Sequence, residues 1–117
     1  MYKFEKLEVY KKALIFNKEI FRITNKFPDN LKFSLVSQMI RAAISVIANI
    51  AEACGRSGSR ESRNLFNIAK GSVYEVVSLL DLSLMQNYIS KTEYDELYRL
   101  SEEISKMLSG LIKFNEK

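Results

Sequence analysis

The amino-acid sequence predicts an all-α protein, an up-down antiparallel four-helix bundle, on the strength of three observations. Apolar residues return every three or four positions through four successive segments, which is the spacing of one helical face. The 117-residue chain contains one Pro and four Gly, so it is poor in the turns that a β-rich fold needs. The connections between the segments are short, which favours antiparallel packing of consecutive helices within one domain, residues 1–117.

The first two helices are predicted over residues 5–27 and 34–54. Pro28 ends the first helix because its ring cannot continue the preceding turn. The second helix has two adjoining apolar stripes, and the width of this face predicts that it is the most buried of the four and that it contributes to oligomerisation. The main apolar positions of both helices are Val9, Ala13, Phe16, Ile20, Ile23, Phe27, Val36, Ile40, Ala43, Ile47, Ile50 and Cys54.

The last two helices are predicted over residues 60–87 and 91–114. The Gly/Ser-rich stretch 55–59 precedes the third helix, and Ser59 is predicted to cap it. Residues 90–93, Ser-Lys-Thr-Glu, have the form of a capping box, in which the Ser and Glu side chains each bond to the other's backbone N–H group. The apolar positions of the two segments are Phe66, Ala69, Val73, Val76, Leu80, Leu84, Leu97, Leu100, Ile104, Met107, Leu111 and Phe114.

The composition argues against several classes of function. The chain has no His, no Trp and a single Cys, so a disulfide framework is excluded and the usual metal ligands and proton carriers are missing. We therefore expect no enzymatic activity, no cofactor and no metal site. The lone Cys54 fits a reducing compartment, and residues 1–6 lack the apolar region of a secretory signal. The longest apolar stretch, residues 42–51, is shorter than the roughly 20 residues of a membrane span, which predicts a cytoplasmic protein without a membrane partner.

Charge is distributed unevenly along the chain, whose formal net charge is +4. Residues 1–33 carry eight Lys or Arg against four Asp or Glu, and residues 34–70 carry five against two, whereas residues 71–117 carry five against eight. Lys18, Arg22 and Lys26 recur four residues apart on the first helix, where like charges repel. This pattern predicts contacts with the phosphates of RNA or DNA; the alternative is a solvated surface that contacts the acidic fourth helix.

A second basic group surrounds the start of the third helix. Arg60 and Arg63 lie in its first turn, where the helix dipole disfavours cations, and Arg56 precedes them. Together with the exposed N–H groups of the helix end they predict a phosphate-binding corner, which Lys70 extends along the same helix. The alternative is a loop that is merely soluble, since Glu61 neutralises part of the charge.

A polar stripe follows the most apolar helix. Its members lie at or beside steps of three and four residues and are Gln38, Arg41, Ser45, Asn49 and Glu52. Arg41 and Glu52 are too far apart along the helix to pair with each other, so each needs another partner. The partner is either a polar group on a neighbouring helix or the matching stripe of another subunit, and the sequence leaves both open.

A specific motif lies in the same helix, where residues 38–52 read QMIRAAISVIANIAE and Arg56 follows. This motif resembles the signature of the four-helix-bundle proteins encoded in intervening sequences of bacterial 23S ribosomal RNA genes. Residues 7–13, LEVYKKA, resemble that family's opening helix, and residues 68–75, IAKGSVYE, resemble its third helix. The chain departs from the family pattern at Phe33-Ser34-Leu35, Ile47 and Ala53, where the family often has Tyr-Gly-Leu, Pro and Gly.

The resemblance implies an up-down bundle that assembles into a homopentameric ring, with a function that involves RNA and without enzymatic activity. A related bundle, the accessory protein of diversity-generating retroelements, is similarly pentameric and partners a reverse transcriptase and nucleic acid. The sequence and the resemblance together predict a non-enzymatic oligomer that binds RNA or DNA through its basic surface. The alternative is a scaffold or adaptor ring whose partner is another protein.

Overall fold

Helices make up most of residues 1–116, the part of the chain that the computed structural model describes. The four α-helices are α1 (Glu8–Thr24), α2 (Ser37–Cys54), α3 (Ser59–Met85) and α4 (Lys91–Phe114). A 3-10 turn precedes α1, and a 3-10 turn followed by a π turn, Lys32–Val36, leads into α2. Residues 1–116 contain no β-strand, so the predicted all-α fold class is confirmed.

The helices are arranged as a closed square. α1 packs against α2 and α4, α2 packs against α3, and α3 packs against α4. The molecule measures 45 × 23 × 23 Å, and its longest helix, α3, is about 40 Å long at 1.5 Å per residue. Each helix therefore runs along the long axis and the short connections reverse the chain, which confirms the predicted up-down antiparallel four-helix bundle.

The core runs along the centre of this square and takes residues from all four helices. Phe16, Ile50, Leu80 and Ile104, one from each helix, are completely buried. All four stand on the apolar stripes that the sequence pattern identifies. Because truncating such a residue to Ala typically costs about 2–5 kcal/mol, these positions dominate the stability of the bundle.

The ends of α1 and α2 differ from the prediction. The predicted first helix spans residues 5–27, but Leu7 has an extended backbone with ψ 133° and separates the 3-10 turn from α1. α1 ends at Thr24 because the residue before Pro28 is disfavoured in the helical conformation, and residues 26 and 27 close in 3-10 fashion. The second helix, predicted from residue 34, is regular only from Ser37 onward, after the π turn.

The caps of α3 and α4 give opposite results. Ser59 is not the cap of α3, as the sequence suggested, because Gly58 occupies that position and no side chain accepts a hydrogen bond there. The capping box of α4 is confirmed: Ser90 Oγ accepts from the Glu93 N–H at 3.1 Å, and Glu93 Oε1 accepts from the Ser90 N–H at 3.0 Å. α3 ends two residues before its predicted end, where Asn87 takes the left-handed conformation (φ 62°) that Asn tolerates well.

α2 is not the most buried helix, contrary to the expectation from its wide apolar face. Six of its 18 residues are buried, against seven of 17 in α1. In a square of four helices each member touches two neighbours, so an apolar face wider than those two contacts extends into solvent. Ile44 is the clearest case, with 43% of its surface exposed.

Candidate nucleic-acid interface and assembly face

The basic stripe on α1 is largely neutralised within the chain. Lys26 Nζ lies 2.9 Å from Glu93 Oε2, and Arg22 lies 3.6 Å from the same oxygen and 2.9 Å from Glu19. Lys18 is exposed and forms no ion pair within residues 1–116. The contact with the acidic fourth helix, which was the alternative interpretation of this stripe, therefore accounts for Arg22 and Lys26.

Of the three basic residues around the start of α3, Arg60 and Arg63 line one open hollow of about 400 Å³, whereas Arg56 does not line it. Arg56 Nη2 lies 2.7 Å from Glu52 Oε1, and its Nε lies 4.0 Å from Glu61. Arg63 donates to the backbone carbonyl of Asn115 at 2.7 Å and so ties the start of α3 to the end of α4. Arg60 is exposed without an ion pair in the described part of the chain.

Lys70 lies ten residues beyond Arg60, about 15 Å further along α3. It lines the groove between α3 and α4, where its ammonium group stands 5.9 Å from the ring centroid of Tyr74. Lys70 stands two helical turns beyond Arg63 on the same face of α3, so it lies beyond the hollow of Arg60 and Arg63 and in the groove between α3 and α4.

The polar stripe of α2 divides into two parts. Ser45 Oγ accepts hydrogen bonds from Ser72 Oγ at 2.8 Å and from Asn49 Nδ2 at 3.0 Å, so these residues form the contact between α2 and α3. Glu52 pairs with Arg56 in the same chain. Gln38 and Arg41 point into solvent, and Arg41 forms no ion pair among residues 1–116.

A group of exposed apolar residues on α1 and α2, which we call the α1–α2 face, was not singled out residue by residue from the sequence. Its exposed members are Leu14 and Phe21 on α1, Phe33 in the π turn before α2, which is 90% exposed, and Ile44 on α2; the half-buried Ile40 lies among them. Phe21, Phe33 and Ile40 line an open hollow of about 480 Å³, with Arg41 at its edge. Asn17 Nδ2 donates to the Ala43 carbonyl at 2.7 Å, and this register places Ile44 beside the α1 turn that carries Leu14.

The stretch that contains α2 is also long and apolar enough to resemble a membrane-spanning helix. Among residues 1–116, one helical stretch, Asp29–Gly55, is long and apolar enough to cross a membrane on those criteria alone. The core helix of a bundle passes the same test, and this stretch includes the α2 residues that pack into the core. The apolar width that the sequence analysis noticed in the second helix is the signal from which the α1–α2 face could have been found.

A second surface, the α3–α4 groove, brings together residues that the sequence places far apart. Its members are Lys70 and Tyr74 on α3 and Tyr98, Arg99, Ser105 and Lys106 on α4. Two adjoining hollows of about 260 and 520 Å³ form the groove and share Tyr74, Glu102 and Ser105 as lining residues. Of this set the sequence predicted a binding role for Lys70 alone, and it predicted none for the α4 residues because they lie in the acidic third of the sequence.

Five side chains have a pKa shifted from its ordinary value, namely Arg22, Cys54, Glu93, Tyr94 and Glu103, and three of them illustrate the causes. The Ser90 backbone N–H and the Lys26 ammonium hold the pKa of Glu93 below its ordinary value. Partial burial raises the pKa of Cys54, so its thiol stays protonated at neutral pH. The hydrogen bond that Tyr94 donates to Asp81 raises the pKa of Tyr94 to about 12. Within residues 1–116 no group of three His, Cys, Asp or Glu side chains is placed to hold a metal ion.

Comparison with known protein families identifies the family to which the chain belongs. The family model described as 23S rRNA-intervening sequence protein matches residues 5–110. The chain belongs to this family. A crystal structure of a protein of unknown function from the S23 ribosomal protein family of Bacteroides thetaiotaomicron is similar, with a TM-score of 0.83 and 30% sequence identity. The similarity covers 90% of this chain and 95% of the other, so the two chains share one fold over nearly their full lengths. No curated protein matches the chain.

Proposed function

We propose that this protein is a non-enzymatic, cytoplasmic homo-oligomer that binds nucleic acid, RNA in the first place, through phosphate contacts. The observation that carries the proposal is the presence of two exposed surfaces of different character. The α1–α2 face is a cluster of exposed apolar side chains, and four cations that form no ion pair within residues 1–116 lie on α3 and α4: Arg60, Lys70, Arg99 and Lys106.

Self-association is supported by the α1–α2 face. Contiguous exposed apolar surface of this kind marks interaction sites, and repeated copies of one chain cover it most simply by closed symmetry. Arg41 stands at its edge, where Arg side chains are frequent in subunit contacts, whereas Gln38 is exposed on α2 and does not line the hollow. The family resemblance makes a pentameric ring the expected form.

Nucleic-acid binding is supported by charge. A subunit with a net charge of +4 and a pI near 9.2 attracts polyanions, and a ring multiplies that charge without any new residue. Arg60 and Lys18 are exposed and unpaired within the described residues, while Arg22, Lys26 and Arg56 are held by carboxylates. We therefore expect Arg60, Lys18 and the cations of α3 and α4 to make most of the phosphate contacts.

Two measurements test the proposal on the untagged, full-length protein. The native mass should correspond to a closed oligomer at micromolar concentration, and filter binding at low salt should retain structured RNA or duplex DNA. Affinity should fall steeply with salt, and the log–log slope should lose about one unit for each phosphate-contacting residue removed. A native mass equal to that of the monomer would contradict self-association. Failure of the filter to retain either nucleic acid would contradict nucleic-acid binding.

A separate experiment tests the alternative function, a scaffold that binds another protein. A pull-down from the native host before and after nuclease treatment distinguishes the two functions, because a protein partner survives nuclease and a nucleic-acid partner does not. Loss of all associated material on nuclease treatment supports nucleic-acid binding. A discrete protein that stays bound supports the scaffold instead.

A further inference from the structure

Two tyrosines line the α3–α4 groove from opposite sides. Tyr74 on α3 is 57% exposed and Tyr98 on α4 is 39% exposed, and both line the same hollow of about 260 Å³. Neither hydroxyl forms a hydrogen bond within residues 1–116. Large aromatic rings left in solvent on the two walls of one groove provide flat surfaces on which a planar ligand can stack.

The two hollows differ in charge. The hollow that both rings line also holds Asp81 and Glu102 and no cation, whereas the adjoining hollow, which Tyr74 lines as well, is positive. Lys70, Arg99 and Lys106 line the adjoining hollow, and none of them forms an ion pair in the described part of the chain. Two carboxylates, Glu102 and Glu103, lie in the same hollow. Because Lys12 Nζ pairs with Glu103 at 2.9 Å, Glu102 is left as one negative charge against three positive ones.

The floor of the groove offers a hydrogen-bonding group. Ser105 Oγ is inaccessible to solvent and has no hydrogen-bond partner within residues 1–116, and Ser105 lines both hollows. A buried hydroxyl without a partner is unfavourable, since its hydrogen bonds to water are lost. Because Ser105 lines both hollows, rotation of its side chain toward the groove would let a donor or acceptor of the ligand pair with this hydroxyl and remove that cost.

We propose that the α3–α4 groove binds unpaired nucleotides of a single-stranded nucleic acid, with bases stacked on Tyr74 and Tyr98 and phosphates held by Lys70, Arg99 and Lys106. This inference rests on the proposed function and deepens it by naming the surface and the form of the nucleic acid. Stacking on an aromatic ring requires a base with a free face, which a continuous duplex does not offer. Cations beside the rings are the arrangement that follows a single-strand backbone.

The test uses the full-length protein and fluorescence anisotropy of a labelled oligouridine of about 12 nucleotides, within the site sizes of single-strand grooves. Tyr74→Leu and Tyr98→Leu should each weaken binding about 5- to 100-fold, the loss expected for one stacked base. Tyr74→Phe and Tyr98→Phe should bind like the wild type, because the ring remains. Tyr2→Leu, which removes an exposed tyrosine outside the groove, is the matched control and should also bind like the wild type.

A second set of variants tests the phosphate contacts. Lys70→Gln and Lys106→Gln should each reduce the salt slope of oligouridine binding by about 0.7, the value for one phosphate contact on a single strand. Lys91→Gln should leave the slope unchanged, because Lys91 already pairs with Asp95. If the salt slopes of Lys70→Gln and Lys106→Gln equal that of Lys91→Gln, Lys70 and Lys106 do not contact phosphates and this part of the proposal is wrong.

The outcomes separate this inference from the proposed function. If duplex RNA binds as tightly as oligouridine and neither Leu variant weakens binding, the groove proposal is overturned while nucleic-acid binding stands. If no nucleic acid of any form is retained, both are overturned. If Tyr74→Leu or Tyr98→Leu lowers the native mass, the groove is a subunit interface and the inference is wrong.

Discussion

The α1–α2 face and the α3–α4 groove lie on different sides of one bundle and differ in almost every exposed side chain. The α1–α2 face presents Phe21, Phe33 and Ile44, whereas the groove presents tyrosines, cations and serines. The core residues beneath both surfaces follow the same helical spacing, so the fold does not require this difference. The comparison teaches that outward positions vary independently of the core, which is the basis of our proposal that one side contacts a second copy and the other a polyanion.

The largest expected effect is on assembly. Ile44→Asp places a carboxylate in the centre of the α1–α2 face, where a charge buried without a partner costs about 3 kcal/mol or more. Subunit association should weaken about 100-fold or more, which sedimentation velocity at micromolar concentration would show as a shift to monomer. Ile15→Asp is the control, since Ile15 is also an exposed Ile but lies in the groove between α1 and α4.

Equal dissociation in both variants would contradict the assignment of assembly to the α1–α2 face. So would an unchanged sedimentation coefficient in Ile44→Asp. Either result would mean that the two sides of the bundle do not differ in the way their exposed residues suggest.

The sequence was sufficient for the helices and for part of their ends. Apolar spacing identifies all four helices, Pro28 identifies the first corner, and the Ser90–Glu93 pair identifies the start of α4, because each of these signals lies within one or two turns of chain. The prediction that Ser59 caps α3 was wrong. Gly58 and Ser59 are adjacent small residues that can both occupy the N-cap position, and Gly58 occupies it in the structure.

The surfaces were harder to predict because they depend on residues from distant parts of the chain. Lys26 is neutralised by a carboxylate 67 positions away, so the sequence alone showed a basic stripe where the structure has an ion-pair cluster. The α3–α4 groove was missed for the opposite reason: Arg99 and Lys106 lie in a segment of net negative charge. The packing of α4 against α1 removes Glu103 from that balance, and only the fold shows it.

The next largest effect is on the stability of the two helices that form the groove, because the N-terminus of α4 has a side-chain cap and that of α3 has none. Ser90→Ala removes the side-chain cap of α4 and should lower the free energy of unfolding by about 1 kcal/mol. Ser59→Ala should change it by less than about 0.5 kcal/mol, because the Ser59 hydroxyl caps nothing in the structure. Urea unfolding at fixed protein concentration measures both. Similar losses in the two variants would mean that α3 is capped by Ser59 after all.

A smaller effect follows from the titration of Glu93, which joins α4 to α1 on the side away from the groove. Its pKa is lowered in the folded state from an ordinary value of 4.5, so its stabilising contribution is complete above that value. The contribution is lost as the pH falls through the lowered folded pKa. Glu93→Gln should therefore be less stable than the wild type at neutral pH and should approach it below pH 4.5.

Urea unfolding midpoints recorded at falling pH check this prediction. Glu96→Gln is the control, because Glu96 is exposed on the same helix and forms no ion pair within residues 1–116. Its difference from the wild type should stay constant with pH. A constant difference for Glu93→Gln as well would show that the ion pairs with α1 and the capping box do not depend on the charge of Glu93.

The smallest effect is spectroscopic and reports on the end of the α3–α4 groove. Tyr94 on α4 donates to Asp81 on α3 at 2.5 Å, and Asp81 lines the same hollow as Tyr74 and Tyr98. The phenolate form is disfavoured by the lost hydrogen bond and by the negative charge of Asp81, which is why the pKa of Tyr94 is raised to about 12. Asp81→Asn removes the charge and should return that pKa toward 10.0, so one more tyrosine ionises at the lower pH in a near-ultraviolet titration. Glu75→Gln, an exposed carboxylate elsewhere on α3, should leave the titration unchanged. If Asp81→Asn and the wild type titrate alike, the hydrogen bond between Tyr94 of α4 and Asp81 of α3 does not form. The α3–α4 groove would then be open at the end where this bond closes it.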